Sequence, residues 1–244
     1  MSGHSKWNNI KRKKEKTDAA KAKIFTKMGR EIAVIVKMGG PNPAENSKLK
    51  DAIAKAKAAN VPNENIERII KKAAGEGDTN NYEELLYEGY GPSGVAVVVE
   101  TLTDNRNRTA GEMRHYFDKC GGNMGQTGCV SFMFNKKGKL IIEAEGLDED
   151  QVMEDALEAG ATDFEADEDV FDISTEPEDF SAVRDALEGK GYAFLTAEIQ
   201  MVPDVLSSLD DPDAIKNMDK LLDMLEDNDD VQDVWHNWDR PDED

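Results

Sequence analysis

The hydrophobic pattern of this chain changes at residues 75–81, a polar stretch rich in Gly and Asn. Before that stretch the apolar residues recur at three- and four-residue spacing, which predicts amphipathic helices. Beyond it, runs such as Gly94–Leu102 hold consecutive Val residues and are typical of buried strands. The stretch is therefore interpreted as a linker. The chain is predicted to hold a helical domain followed by α+β structure.

The helical part contains three predicted helices joined by Gly and Pro turns. The first covers Thr17–Met38 and stops at a Gly-Gly-Pro sequence. The second begins near Pro43, and the third begins after Asn63, its expected N-cap. Residues 1–16 show no helical period, so they are predicted to form a basic arm outside the helices.

The central part of the chain has the element order of a complete βαββαβ unit. Its predicted elements are a strand at Leu140–Glu145, a helix at Asp148–Ala159, strands near Phe164 and at Val170–Ser174, a helix at Pro177–Glu188 and a strand at Ala193–Val202. This order is that of the ferredoxin-like split βαβ fold.

The segments on either side of that unit are predicted to form one further α+β domain. Their elements are a strand at Gly94–Leu102, a helix from a capping box at Thr109–Glu112 to about Lys119, a strand at Cys129–Phe134, a helix at Asp211–Asp227 and a strand at Val231–Trp238. The predicted fold class is α+β with three domains, the third inserted in the second. They are a basic arm and three-helix domain (1–78), a discontinuous α+β domain (79–138 with 204–244) and an inserted ferredoxin-like α+β domain (139–203).

Charge divides the chain at the same place as the hydrophobic pattern does. Residues 1–75 hold 18 Lys and Arg against 7 Asp and Glu, a net charge of +11. The remaining residues hold 12 against 44, a net charge of −32. A cationic end on an anionic body is typical of a protein that binds a polyanion with one part. Nucleic acid is therefore the first partner expected.

The densest positive charge lies beside Trp7, within the first 16 residues. The six cations there are Lys6, Lys11, Arg12, Lys13, Lys14 and Lys16. Each cation placed on a phosphate releases condensed counterions, and the Trp7 ring offers a face on which an unpaired base can stack. The outer helix faces are expected to extend this surface with Lys23, Lys27 and Arg30. The alternative is a solvated charge run that balances the acidic body.

A second candidate site is the segment Thr103–Thr109, predicted as a loop between a buried strand and a helix N-terminus. There, Arg106 and Arg108 would bind phosphate together with the positive end of the helix dipole. In the alternative, Asn and Thr side chains cap the helix while the two arginines meet acidic groups. The sequence leaves both interpretations open.

Three further patterns are weak indications of enzyme or metal chemistry. The Gly-rich stretch 121–128 lacks the GK[ST] ending of a P-loop and follows a helix, so it is interpreted as a connector. Cys120 and Cys129 lie near His115, but with only three His in the chain a structural role is favoured over nucleophilic or zinc chemistry. The acidic run Asp163–Asp169 lacks the Gly and closing Glu of a calcium loop and is interpreted as a hairpin tip.

The remaining expectations concern activity and compartment. No acid–base constellation is recognisable, so the chain is predicted to be non-enzymatic, with no cofactor, no metal and no small-molecule substrate. No run of 18 apolar residues occurs, and no membrane partner is expected. Two Cys without a CxxC pair, and no recognisable secretory signal, favour the cytoplasm. The acidic body is expected to confer solubility or to dock a basic protein.

Several longer strings in the chain resemble the YebC/PmpR family. They are MSGHSKWNNIKRKK at Met1–Lys14, KIFTK at Lys23–Lys27, YEGYGP at Tyr87–Pro92, DNRNRT at Asp104–Thr109, FDKCGGN at Phe117–Asn123 and LEDNDDV at Leu225–Val231. The resemblance spans nearly the whole chain. It implies three domains, one helical and two α+β, with the third inserted in the second.

The family is described as DNA-binding transcriptional regulators, so the resemblance implies this function. Other relatives resemble mitochondrial translational activators for cytochrome oxidase, or ribosome-associated factors that relieve stalling at proline runs. They imply binding to rRNA or tRNA instead. The contact residues carried over are His4, Ser5, Lys6, Trp7, Lys11, Arg12, Lys13, Lys14, Lys23 and Lys27. No helix-turn-helix, zinc-finger or basic-zipper motif is recognisable, which favours RNA on physical grounds. An acidic protein–protein adaptor is a third hypothesis.

Overall fold

The structure is a computed structural model that describes residues 18–75 and 81–240. In this part of the chain it holds seven α-helices and two four-stranded sheets. In chain order the elements are α1 (Asp18–Gly39), α2 (Ser47–Ala58), α3 (Asn63–Ala73), β1 (Glu83–Tyr90), β2 (Ala96–Thr103), α4 (Arg106–Lys119), β3 (Asn123–Met124), β4 (Phe134–Glu143), α5 (Glu149–Ala159), β5 (Asp163–Ala166), β6 (Val170–Thr175), α6 (Phe180–Gly189), β7 (Phe194–Pro203), α7 (Pro212–Asp227) and β8 (Val231–His236). The predicted α+β class is confirmed.

These elements form two compact units. The first unit contains the N-terminal helices together with Lys136–Gln200. The second contains residues 81–135 together with residues 201–240. The three-domain boundaries predicted at 1–78, 79–138 with 204–244, and 139–203 are finer than this division and stay a prediction.

The helical domain packs α1, α2 and α3 around an aliphatic core. The buried side chains are Met28, Ile32, Val36, Leu49, Ala52, Ala56, Val61, Ile66 and Ala73. The helical spacing of these residues in the sequence is what predicts the three helices. α3 begins at Asn63 with Pro62 in the N-cap position, so the prediction of Asn63 as the N-cap is wrong by one residue.

The start of α2 is set by Asn46 rather than by the predicted Pro43. The Asn46 side chain accepts a hydrogen bond from Leu49 N at 3.2 Å, which makes it the N-cap. Its amide nitrogen also donates to Ile35 O at 3.2 Å and to Gly40 O at 2.9 Å. One buried side chain therefore satisfies backbone groups at the end of α1 and the beginning of α2.

The inserted domain has the ferredoxin-like topology that its sequence predicts. Its sheet order is β5-β6-β4-β7, and β6 pairs antiparallel with both β4 and β5. α5 and α6 bury their apolar faces against this sheet, with Val152 and Val183 meeting Leu140 and Ile173 in the core. The acidic run interpreted as a hairpin tip lies in β5 and its turn, where Asp167 N donates to Val170 O at 2.9 Å.

The second unit is built on a sheet of order β3-β1-β2-β8, in which all neighbours are antiparallel. α4 and α7 cover one face of this sheet, and Phe117 and Leu221 pack there against Val97 and Val99. The sequence does not predict β1, because its string EELLYEGY is short of apolar residues. The absence of a side chain at Gly89 lets β3 approach, since a Cβ there would lie 2.5 Å from a backbone oxygen.

The strand predicted at Cys129–Phe134 is wrong. Ser131–Met133 form a 3₁₀ turn, and the strand begins only at Phe134, as β4. The reason is a side chain from β1: the buried Glu88 carboxylate takes hydrogen bonds from the backbone of Gly128, Val130 and Ser131. Backbone groups bonded to Glu88 cannot also pair with a neighbouring strand, so the apolar run does not join the sheet.

Candidate nucleic-acid interface

Most of the predicted contact residues lie outside the described part of the chain. They are His4, Ser5, Lys6, Trp7, Lys11, Arg12, Lys13, Lys14 and Lys16. Their role in nucleic-acid binding stays a prediction. The described part of the candidate interface begins on α1.

Three predicted contact residues, Lys23, Lys27 and Arg30, lie on α1. Lys23 and Arg30 are half-buried, and each of the three has an interaction partner. Lys27 is only 8% exposed, so its expected position on an outer helix face is wrong. Burial of a Lys keeps its aliphatic stem against the core. The exposed positive charge of this domain must therefore come mainly from other residues.

Four exposed cations of the helical domain lie in the last turns of its helices, while Lys48, Lys50 and Arg68 are exposed elsewhere on the second and third helices. α1 ends with Lys37, α2 has Lys57 in its last turn, and α3 ends with Lys71 and Lys72. All four are exposed. A cation at this position also stabilises its helix through the macrodipole, by about 0.3–1 kcal/mol. These lysines can serve the fold and still present their ammonium groups to a polyanion.

One face of α2 is occupied by the inserted domain rather than open to a ligand. Arg184 of α6 is 1% exposed, and its Nη1 lies 2.6 Å from Asp51 Oδ1 on α2. Ser181 Oγ donates to the same oxygen at 2.7 Å. Arg184 Nη2 lies 3.0 Å from Asp185 Oδ1, and its guanidinium stands 5.4 Å from the centroid of the Phe180 ring. Buried ionic contacts thus attach α2 to α6.

Two lysines of α2 take part in the same attachment. Lys50 pairs with Asp185, while Lys55 Nζ lies 3.5 Å from Glu31 Oε2 and 3.6 Å from Glu198 Oε2. Burial alone would raise the pKa of Asp185, but hydrogen bonds from two cations hold that pKa below its ordinary value. Lys50 and Lys55 therefore already neutralise carboxylates within the unit.

The sequence predicts a loop over all of Thr103–Thr109, but only the first part of this segment is a loop. α4 begins at Arg106, and the Asn105 side chain caps it by accepting a hydrogen bond from Arg108 N at 3.1 Å. The capping box predicted to start at Thr109 is wrong, because that residue is already inside the helix and buried. Arg106 and Arg108 both lie in the first turn of α4.

The two arginines of that turn have different surroundings. Arg108 Nη2 lies 2.7 Å from Asp230 Oδ2 and 2.9 Å from Asp104 Oδ1. Thr103 and Thr109 also donate hydroxyl hydrogen bonds to Asp230, at 3.1 and 2.8 Å. The hydrogen bond to Asp230 is the main reason that the pKa of Arg108 is raised. This geometry matches the alternative in which an arginine meets acidic groups.

Arg106 is exposed on the first turn of α4, as Arg108 is, but it forms no ion pair with any described residue. It is the arginine of this pair that stands open to a phosphate. The roles of both arginines in nucleic-acid binding stay predictions.

The Gly-rich stretch 121–128 is followed by a backbone site that already holds an anion. Glu88 is 1% exposed, and its carboxylate accepts from Gly128 N at 2.7 Å, Val130 N at 3.0 Å and Ser131 N at 2.8 Å. Three converging N–H groups are what a phosphate cradle needs, but here a carboxylate of the chain itself fills the place. The interpretation of this stretch as a connector agrees with that arrangement.

Burial governs the chemistry of the two Cys residues in this region. Cys120 is buried and Cys129 is half-buried, and burial raises the pKa of both thiols. His115 is exposed on α4. A thiol with a raised pKa is a weak nucleophile at neutral pH.

No group of three or more His, Cys, Asp or Glu in residues 18–75 and 81–240 is placed to hold a metal ion. None of the helices described there is long and apolar enough to cross a membrane.

Three features of this region are not predicted by the sequence: Glu88, Asp230 and the Asp51–Arg184 pair. A period-two reading of β1 would have placed Glu88 between Leu86 and Tyr90 on one sheet face. A carboxylate buried in that position needs hydrogen-bond donors from neighbouring segments. The other two depend on contacts between residues distant in the sequence, which leave no local signal.

Two family models together cover nearly the whole chain. A model described as the TACO1/YebC protein N-terminal domain matches residues 5–76. A model described as the TACO1/YebC second and third domain matches residues 82–238.

Named relatives and a solved structure are similar over the same length. A protein of Acetivibrio thermocellus called "Probable transcriptional regulatory protein" is 65% identical over 98% of this chain and 99% of its own. One of Ruminiclostridium cellulolyticum with the same name is 60% identical over 100% of this chain and 98% of its own. The crystal structure of a conserved hypothetical protein from Aquifex aeolicus has a TM-score of 0.83 and 46% identity, over 93% of this chain and 94% of that one.

Proposed function

The chain belongs to the YebC/PmpR family, and we propose that it is a non-enzymatic regulator of gene expression that binds nucleic acid through its basic N-terminal domain. The observation that carries this proposal is the confinement of positive charge. Residues 18–75 hold 12 Lys and Arg against 6 Asp and Glu, whereas the chain after residue 75 has a net charge of −32. The N-terminal domain is therefore the part of the chain whose net charge attracts a polyanion.

DNA is the target that the relatives' names support, since they are called transcriptional regulatory proteins. In this proposal the protein acts in the cytoplasm on promoter DNA. Lysine ammonium groups at helix ends neutralise phosphates, which positions a protein on a duplex. Base reading would then come from residues that approach a groove, and the exposed Arg106 has the side-chain chemistry for guanine.

A ribosome-associated translation factor is the second candidate. The observation that favours it is the type of cation present: the exposed cations at the ends of α1, α2 and α3 are all lysines. Lysine acts as a point charge on phosphate rather than as a bidentate reader of bases. Together with Trp7 in the arm, such a surface fits the backbone and unpaired bases of rRNA or tRNA.

The experiment for nucleic-acid binding compares two double substitutions that each remove two exposed lysines. Lys71→Ala/Lys72→Ala changes the end of α3, and Lys216→Ala/Lys220→Ala changes α7 of the second unit as the matched control. We expect only the α3 variant to bind a fluorescent duplex DNA and a looped RNA more weakly, by anisotropy at fixed salt. Equal losses in both variants would show that net charge, and not this domain, determines binding.

The choice between DNA and the ribosome is tested in cell lysate and with Trp7→Ala. Co-sedimentation with ribosomes that survives moderate salt supports the translation factor. Sequence-specific retention on promoter DNA without ribosome association supports the transcriptional regulator. Trp7→Ala is expected to weaken binding to looped RNA more than to duplex DNA if stacking on unpaired bases takes place. Equal losses on the two ligands would remove stacking from the proposal.

A further inference from the structure

Helix α5 of the inserted domain carries apolar side chains on its solvent side. Met153 is 37% exposed and Leu157 is 52% exposed, one helical turn apart. Leu147, in the turn before the helix, is 40% exposed. The core contact of α5 comes from Val152 and Ala156, which lie about 100° around the helix from Met153 and Leu157. The helix therefore has a second apolar stripe that the fold does not use.

Carboxylates line both sides of this stripe. Glu149, Asp150, Glu154 and Glu158 are all exposed. Glu149 stands one turn before Met153, and Asp150 and Glu154 continue along the other flank at i, i+4 spacing. Lys190 Nζ lies 3.4 Å from Glu158 Oε2 and 2.5 Å from Asp155 Oδ1. The other three carboxylates give the outer face of α5 a net negative charge around an apolar centre.

The inserted domain as a whole excludes nucleic acid as a ligand for this face. Residues 139–203 hold 20 Asp and Glu against 3 Lys and Arg, a net charge of −17. Each of the three cations lies in an ion pair: Lys139 with Asp172 at 2.8 Å, Arg184 with Asp51 and Asp185, and Lys190 with Asp155. A phosphate chain would meet only repulsion here.

We propose that the outer face of α5, together with Leu147, binds a cationic amphipathic segment of a partner protein. Leu147, Met153 and Leu157 would pack against apolar side chains of that segment, and the flanking carboxylates would meet its Lys or Arg residues. Apolar contact supplies most of the affinity in such helix-on-helix docking, while the charges set orientation and association rate. This surface adds a protein-binding function to the nucleic-acid binding proposed for the N-terminal domain.

The test uses the full chain and a fluorescein-labelled synthetic helix made of Leu and Lys, with its leucines on one face. The variant Met153→Gln/Leu157→Gln removes the apolar stripe without changing charge. Ile199→Gln, on β7 of the same domain and 39% exposed in the native protein, is the matched control. By anisotropy we expect the dissociation constant to rise about tenfold for the α5 variant, about 1.4 kcal/mol, and to stay unchanged for the control.

A second variant and a second peptide separate docking from simple charge attraction. Glu149→Gln/Glu154→Gln is expected to weaken binding of the Leu–Lys helix and to reduce its salt dependence. A peptide with the same number of lysines and no leucines should bind more weakly and show no difference between native protein and Met153→Gln/Leu157→Gln. Equal affinity of the Leu–Lys helix for native protein and that variant would overturn the proposal.

Two further readouts keep the interpretation unambiguous. Sedimentation of the protein alone tests whether the basic N-terminal domain of a second copy occupies this face. Self-association lost in Met153→Gln/Leu157→Gln would overturn the proposal in favour of that occupant. Nucleic-acid affinity should be unchanged in the α5 variant, so failure of the docking proposal and failure of the proposed function are distinguishable.

Discussion

At the scale of single residues, Glu88 determines the path of residues 128–131. We expect Glu88→Gln to lower the free energy of unfolding by about 2 kcal/mol, because the amide leaves part of the three N–H donors, of which that of Val130 is buried, without an acceptor. Glu84→Gln, on the same strand but exposed, is the control and should have little effect. Urea denaturation of the three proteins measures the difference. Identical midpoints for Glu88→Gln and the native protein would contradict the assignment.

Glu88 also makes stability depend on pH. Burial alone would raise the pKa of its carboxyl, but the three backbone donors hold that pKa below its ordinary value of 4.5. Glu88 therefore contributes its full stabilisation above pH 4.5 and loses it as the pH falls through the lower pKa of the folded state. We expect the stability gap between native protein and Glu88→Gln to be widest near about pH 7 and to narrow near about pH 3, by urea denaturation.

Arg106 and Arg108 are two residues apart and are expected to respond to substitution in opposite ways. Arg108→Ala should lower the unfolding free energy by about 1 kcal/mol, since Asp230 keeps its two Thr donors and Arg108 is partly exposed. It should leave nucleic-acid affinity unchanged. Arg106→Ala should leave stability unchanged and weaken binding if this turn contacts phosphate. Thermal melts and anisotropy on both variants measure the two effects, and the reverse pattern would contradict this division.

At the scale of elements, the attachment of α2 to α6 depends on the Asp51–Arg184 pair. Asp51→Ala removes a partner from a guanidinium that is 1% exposed, and we expect a loss of about 3 kcal/mol in unfolding free energy. Glu67→Ala, on the exposed side of α3, is the control. Hydrogen exchange should show faster exchange in α2 and α6 of the Asp51 variant before other elements. Unchanged protection there would rule out the pair as a structural attachment.

The elements that the sequence predicted well are those whose signal is local. The apolar spacing of α1–α3 and the βαββαβ order of residues 139–203 carry their own periodicity, and both are present in the structure. β1 was missed because Glu83–Tyr90 pairs with β2 through its backbone while offering few apolar side chains. The strand predicted at Cys129–Phe134 is wrong because Glu88, distant in the sequence, accepts hydrogen bonds from backbone N–H groups in and beside that segment. Local patterns cannot report such long-range competition.

At the scale of the whole molecule, the sequence shows where the positive charge lies but not which cations are already paired. The division between a basic N-terminal region and an acidic remainder is visible from composition alone. That Lys50 and Lys55 neutralise carboxylates, and that Arg108 is held by Asp230, appears only when distant segments meet. The candidate interface therefore contains fewer available cations than the count of basic residues suggests. The N-terminal arm accounts for a correspondingly larger share of them.

The salt dependence of binding measures how many phosphate contacts the arm contributes. Replacing Lys11, Arg12, Lys13 and Lys14 by Ala should flatten the plot of log affinity against log salt by about 0.9 for each lost phosphate contact on duplex DNA, and by about 0.7 on a single strand. Lys216→Ala/Lys220→Ala, in the acidic second unit, should leave the slope unchanged. Affinity should also fall in the arm variant, most strongly at low salt, since fewer condensed counterions are released. A slope and an affinity equal to those of the native protein would place the contact on the helices of residues 18–75 instead.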